Sequence, residues 1–151
     1  MDSPHSDQLR RGRFSEPGRL YLLTSKTLNR VPYLVDLRSA RLLIAQLRTV
    51  EQEGIARSLA WVVMPDHFHW LVELGDVDLK TLMRRVKSRS TRMINGYQRR
   101  TGRLWQQGFH DRALRREEDV RAVARYIVMN PKRAGLVERI GDYPHWDAIW
   151  I

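Results

Sequence analysis

The stretch Ile55-Ala56-Arg57-Ser58-Leu59-Ala60-Trp61-Val62-Val63-Met64-Pro65-Asp66-His67-Phe68-His69-Trp70-Leu71-Val72-Glu73-Leu74 decides the fold. Up to Met64 it is rich in β-branched and aromatic residues, Pro65-Asp66 is a turn signal, and a second strand runs from His67 to Leu74. Together they read as a β-hairpin. Alternate residues of a strand share a face, so Phe68, Trp70, Val72 and Leu74 make one unbroken apolar row. His67 and His69 fall on the other side.

Outward from this hairpin the chain alternates. Leu20 to Ser25 reads as a strand, and Asp36 as the N-cap of a helix that carries Leu42, Leu43, Ile44 and Leu47 and stops at Gly54. Asp78 caps a long helical pattern ending near Gly102. Leu79, Leu82, Met83, Val86, Met93, Ile94 and Tyr97 point inward there, with many arginines outward. A loop from Leu104 to Gly108 leads to a strand at about Phe109 to Leu114. Glu117, Glu118 and Asp119 open a further helix, where acidic residues suit the N-terminal dipole, and it ends at Asn130-Pro131. The order β-α-β-β-α-β-α predicts an α+β, ferredoxin-like sandwich: a central antiparallel sheet with flanking helices. One domain over residues 1–151 is expected, with 1–19 as a basic N-terminal arm and no repeat or linker dividing it.

The composition narrows the function. Of 151 residues 42% are hydrophobic and 29% charged, as in ordinary globular proteins and against disorder. The absence of cysteine excludes a disulfide scaffold, a thiolate metal site and a cysteine nucleophile together. The longest unbroken apolar run is the six residues Leu59 to Met64, too short to cross a bilayer, and the N-terminus lacks the regions of a secretory signal. A cytoplasmic protein without a membrane partner is expected. Lys and Arg number 27 against 17 acids, a net charge of +10, and 23 of the 27 are Arg. Residues 1–78 are neutral overall, whereas 79–139 carry a net +12. Guanidinium forks match phosphate oxygens two at a time, and a one-sided concentration of them is the footprint of a polyanion partner. GC-rich coding also raises Arg content, and a solvated helix face is the plainer alternative for the charge.

Two groups of residues carry candidate chemistry. On one strand face His67 and His69 lie close enough to chelate one cation, although a His-x-His pair also occurs incidentally, and two imidazoles leave a metal short of donors. On the last helix Val120, Val123, Ala124 and Ile127 define the apolar stripe. Tyr126 lies off it, with Asn130 one turn on and Ala122 one turn before. A tyrosine there is either a ring over the core edge or a nucleophile. A phenol beside a carboxamide fits the second, since a divalent cation assists phenolate attack and an amide oxygen is a hard donor for Mg²⁺ or Mn²⁺.

These residues resemble a family. Met64-Pro65-Asp66-His67-Phe68-His69-Trp70-Leu71-Val72 is similar to the His-hydrophobic-His segment of single-tyrosine transposases in the HUH endonuclease superfamily. Trp105-Gln106-Gln107-Gly108-Phe109-His110-Asp111-Arg112, the run Tyr126-Ile127-Val128-Met129-Asn130-Pro131-Lys132-Arg133-Ala134-Gly135-Leu136-Val137 and the arm Arg10-Arg11-Gly12-Arg13-Phe14 resemble its REP-associated branch. The chain departs at Asp66, where the family commonly has Asn, and at Val128, where many members have His. The resemblance implies a divalent metal ion (Mg²⁺ or Mn²⁺) on His67 and His69, with Asn130 as a possible third donor. It implies Tyr126 as the nucleophile on single-stranded or hairpin DNA, giving a 5′-phosphotyrosine link and a free 3′-OH. Arg10, Arg11 and Arg13 are expected to read a tag beside the hairpin. Arg84, Arg85, Lys87, Arg89, Arg92, Arg112 and Arg133 are expected to contact DNA, with the protein a monomer or homodimer. The alternatives are a non-catalytic module binding structured nucleic acid, and a metal-dependent hydrolase that activates water.

Overall fold

The computed structural model describes residues 15–115 and 118–150. Arg10, Arg11, Arg13 and Glu117 lie outside the described residues. Five strands, β1 (Leu20–Lys26), β2 (Ala56–Met64), β3 (His67–Leu74), β4 (His110–Ala113) and β5 (Trp146–Ala148), form one sheet in the order β4-β1-β3-β2-β5 with every neighbouring pair antiparallel. The first four strands, with α1 (Leu37–Gln52) and α2 (Leu79–Gln98) between them, give the expected α+β, ferredoxin-like arrangement. α3 (Val120–Val128) and a short helix α4 (Asn130–Arg133) follow β4. β5, which extends the sheet beyond β2, was not expected. Three residues are too few to show a period, and its ladder to Ala60, Trp61 and Val62 is a long-range pairing.

Alternation along β3 splits the molecule into two cores. Phe68, Trp70, Val72 and Leu74 join Leu43, Ile44 and Leu47 of α1 and Leu82, Met83, Val86 and Ile94 of α2 in the larger one. Inside it the Trp70 indole donates to Ser58 Oγ at 2.8 Å, so its one polar atom is satisfied. On the opposite face Leu59, Ala60, Val62, Met64 and Leu71 pack under Ala124, Ile127 and Val128 of α3. The side of the sheet that carries the histidines is therefore half covered by α3.

α1 and α2 begin where their caps predict: Asp36 accepts from the Ser39 N–H at 3.0 Å and Asp78 from the Thr81 N–H at 2.7 Å. Two details differ from expectation. Met93 and Tyr97 are 47% and 51% exposed, because beyond Val86 the buried stripe advances in steps of four through Ser90 and Ile94. Gln98, the next residue in that series, donates to the Tyr33 carbonyl and to Ser39 Oγ. α2 also ends before Gly102, at Gln98, because Arg99 itself takes the left-handed conformation (φ 55°) usual for a C-terminal glycine. At the far end of the chain, Pro131 does not simply end a helix. α3 stops at Val128, and Pro131, tolerated in a first turn, lets α4 restart after Met129.

Two glycines test the packing in opposite senses. A Cβ on Gly75 would stand 2.7 Å from the Ile55 carbonyl oxygen and 2.8 Å from that of Gly54, both backbone atoms that cannot rotate away. Gly96, on α2, faces open space. Gly75→Ala is expected to cost about 1–3 kcal/mol, and Gly96→Ala to stabilise by roughly 0.5–1 kcal/mol, both read from thermal unfolding.

Burial pushes the Tyr143 phenol up to about 12, and its hydroxyl donates to the Val63 carbonyl at 2.6 Å. The raised value means that the unfolded chain loses this proton first, so Tyr143 contributes stability below about pH 10 that is lost as pH rises toward 12. Tyr143→Phe is expected to flatten the fall in stability over that window in an alkaline denaturation series.

Candidate active site

The antiparallel register builds the histidine face. Lys26 pairs with His67, Thr24 with His69 and with His110, and Leu22 with Arg112. Paired residues share a face, so Lys26, Thr24, His67, His69, His110 and Arg112 all stand on the side opposite Phe68. The two imidazole centroids are 5.0 Å apart with their planes at 80°. His67 donates from Nδ1 to Asp66 Oδ1 at 2.7 Å, and His69 Nδ1 shares a hydrogen bond of 2.7 Å with Thr24 Oγ1. Among the described residues neither Nε2 has a hydrogen-bond partner. Both rings are thus fixed through one nitrogen, which leaves the other for ligation, as in metal-binding histidines.

Asp66 is held in turn. Burial raises its pKa, but the hydrogen bonds from His67 and from Arg30 Nε, the latter at 2.9 Å, outweigh this and lower it overall. Asp66 is therefore a carboxylate that orients His67. Arg30 reaches it from a turn in which Asn29 and Arg30 both have positive φ (56° and 57°), a conformation uncommon for residues other than glycine. Thr27 secures this turn by sharing its hydroxyl proton between the carbonyls of Val31 and Asp66. Burial pushes the His69 imidazole down to about 4, and the charges of His67, Arg133 and Lys26 add to the effect. At neutral pH His69 is neutral, the form that ligates a cation.

The second group lies on α3 and α4. Tyr126 is 65% exposed, and the Arg133 guanidinium carbon stands 4.0 Å from its ring centroid. Arg133 also donates to Asn130 Oδ1 at 2.8 Å. An open groove of about 590 Å³ beside them is lined by Ala122, Arg125, Tyr126, Met129, Lys132 and Arg133. At an exposed site such a cation–π stack contributes about 0.5–1 kcal/mol, weak enough for a phosphate to displace it. Arg133 thus touches Tyr126 and Asn130 and bears electrostatically on His69, which links the two groups.

The other tyrosines are engaged or distant. Tyr21 is buried, and its hydroxyl accepts the Glu16 N–H. Tyr33 lies under Arg100 at 4.2 Å, and Tyr143 is tied to Val63. Tyr97 stands on α2, across the sheet from the histidines.

The remaining basic residues divide. α2 packs on the Phe68 face, so Arg84, Arg85, Lys87, Arg89 and Arg92 lie across the sheet from His67 and His69. Arg89 forms a two-pronged ion pair with Glu53 at the end of α1, both contacts at 3.0 Å. Lys87 donates to the carbonyls of Gln106 and Gly108 and so holds the loop before β4. Arg84, Arg85 and Arg92 form no ion pair among the described residues. Arg112 is paired with Glu118 at 2.8 Å. Lys26 and His110 were not singled out from the sequence. Period-two alternation marks their face, but only the pairing with β3 places them beside the histidines.

Among the described residues no three His, Cys, Asp or Glu side chains converge as a cation site, so a third donor to any cation on the two histidines would be of another type. Asn130 Oδ1 is such an oxygen. Two oriented imidazole nitrogens on β3 and a carboxamide oxygen on α4 are donor types that suit a divalent cation.

Known proteins are similar to this chain in sequence and fold. A family model described as "Transposase IS200 like" matches residues 23–130. The REP-associated tyrosine transposase of Escherichia coli (strain K12) is 29% identical, over 74% of this chain and 72% of its own. A solved structure of a REP-associated tyrosine transposase bound to a REP hairpin superposes with a TM-score of 0.75 at 26% identity, covering 89% of this chain and 79% of that one. A Deinococcus radiodurans structure shares the fold, with a TM-score of 0.53 at 24% identity over 74% of this chain and 88% of its own. The family match spans well over half of the sequence and takes in both histidines, Tyr126 and Asn130: this chain belongs to the IS200-like transposase family of enzymes.

Proposed function

We propose that this protein is a metal-dependent single-stranded DNA endonuclease and strand transferase that cuts beside hairpins through Tyr126. The observation that carries this reading is the placement of Tyr126, Asn130 and Arg133 together on helices that pack over the histidine side of the sheet. His67 and His69 would hold Mg²⁺ or Mn²⁺ through Nε2, with Asn130 Oδ1 as the third protein donor. A bound divalent ion supplies positive charge against the developing negative oxygens of the scissile phosphate.

The chain's own residues do the rest. The exposed Tyr126 oxygen, after losing its proton, attacks the phosphorus. A P–O bond forms to tyrosine as the bond to the 3′ oxygen breaks, and that oxygen takes up a proton as a 3′-OH. The products are a 5′-phosphotyrosine link and a free 3′ end, and attack by another 3′-OH reverses the step. Asp66 and Thr24 keep the two imidazoles oriented, while Lys26, Lys132 and Arg133 supply charge for the phosphate. A hairpin as partner is supported by the relative solved with one, and the neutral first half and basic second half fit a DNA backbone.

The experiment is to trap a covalent protein–DNA adduct on a denaturing gel, using hairpin DNA with single-stranded flanks and Mn²⁺. The wild-type protein should form the adduct on the peptide containing Tyr126. Tyr126→Phe, and His67→Ala with His69→Ala, should each reduce it at least a hundredfold and leave most DNA affinity intact. Cleavage by Tyr126→Phe without an adduct would instead show a water-activating hydrolase. Hairpin binding with no cleavage by wild type would show a binding module.

Arg84, Arg85 and Arg92, which form no ion pair among the described residues, are the part of this reading open to a salt test. Neutralising all three should flatten the slope of log affinity against log salt by about 2–3 units. An unchanged slope would make that face a merely solvated one.

A further inference from the structure

Tyr126 on α3 and Asn130 and Arg133 on α4 sit at intervals of four and three residues, and the arginine spans both of its neighbours. With its guanidinium carbon 4.0 Å from the Tyr126 ring and one arm 2.8 Å from Asn130 Oδ1, it covers the phenol ring and occupies the carboxamide oxygen at the same time. Among the described residues no carboxylate pairs with Arg133. Among these residues its partners are a ring face and an amide oxygen.

We propose that Arg133 is a positioning residue that latches the DNA-free site, pinning the Tyr126 ring and occupying the Asn130 oxygen until a DNA phosphate takes the guanidinium away. The latch rests on the reading above that Asn130 Oδ1 is a donor to the metal. A cation at that oxygen would stand beside a guanidinium already bound there, so the two positive groups compete for one atom. A phosphodiester offers two anionic oxygens at the spacing of a guanidinium fork, a better partner than one neutral carboxamide oxygen and a ring face. Lys132 and Arg125 line the same groove and draw the phosphate to it. Once Arg133 turns to DNA, the Tyr126 ring and the Asn130 oxygen are released together. DNA then favours the cation, and by linkage the cation favours DNA.

The first test is a double-mutant cycle on Mn²⁺ binding to the DNA-free full chain, with free Mn²⁺ measured by electron paramagnetic resonance. Arg133→Gln should tighten Mn²⁺ binding roughly 5- to 20-fold, and at least about threefold less in the Asn130→Ala background, where only its charge on His69 is removed. Equal tightening in both backgrounds would mean only removal of a nearby positive charge, and no tightening, or no measurable binding by Arg133→Gln, would also overturn the latch. The metal reading is judged separately: if His67→Ala with His69→Ala binds Mn²⁺ as the parent does, that reading fails. The second test uses no metal. In a chain with ¹³C-labelled tyrosine rings and a chelator present, adding hairpin DNA should move the Tyr126 resonance toward its position in Arg133→Gln. A Tyr126 signal unmoved by saturating DNA would show that phosphate does not draw the arginine off.

Discussion

Phe68 and Trp70 are fully buried in the larger core, and the rest of the site follows from holding them there. A one-residue slip of β3 would carry both aromatic rings to the other side of the sheet and drive His67 and His69 into an apolar core. Each aromatic side chain gains about 1.5–3 kcal/mol from burial, and an imidazole without partners in that core would cost free energy, so the register is fixed from both directions. The histidines owe their position to what their neighbours in sequence must avoid. Register with β1 then sets Thr24 beside His69 and Lys26 beside His67, because antiparallel partners share a face.

The sheet separates two tasks. One side is closed by α1 and α2, and its outer surface carries the cations of α2. The other is half covered by α3, and the uncovered part holds the oriented imidazoles. Covering that face completely would bury the site; leaving it bare would expose Leu71, Val62 and Met64 to water. α3 therefore packs on β2 through Ala124, Ile127 and Val128 and presents Tyr126 on its outer flank. Val128 is committed to that packing. The break at Met129 and the restart at Asn130 let the chain present Asn130 and Arg133 on a short second helix without losing the line of Tyr126.

Orientation of the histidine pair depends on residues remote in sequence. Asp66 is bound by Arg30 from a turn with two left-handed residues, and Thr27 ties that turn to the hairpin through the Asp66 carbonyl. Backbone conformations of this kind persist where surrounding contacts over-determine them, and they gather at functional sites. The carboxylate of Asp66 thus makes an ion pair with Arg30 and a hydrogen bond to His67 in one residue.

Local pattern alone determined a good deal about this protein. Period-two alternation showed which face of β3 is buried, helical period placed Tyr126 off the core stripe, and caps at Asp36 and Asp78 set helix starts, because each depends on residues only a few positions apart. The same rule misplaced Met93 and Tyr97, where the buried stripe follows steps of four and a wheel of uniform pitch blurs neighbours 100° apart. Tertiary structure alone decided that Lys26 and His110 join the histidine face, that β5 exists, that Arg89 and Arg112 are held by Glu53 and Glu118, and that Arg133 rests on Tyr126. Cross-strand register, ion pairs between elements and the rotamer of a long side chain are set by contacts between distant segments, and no local period encodes which partners will meet.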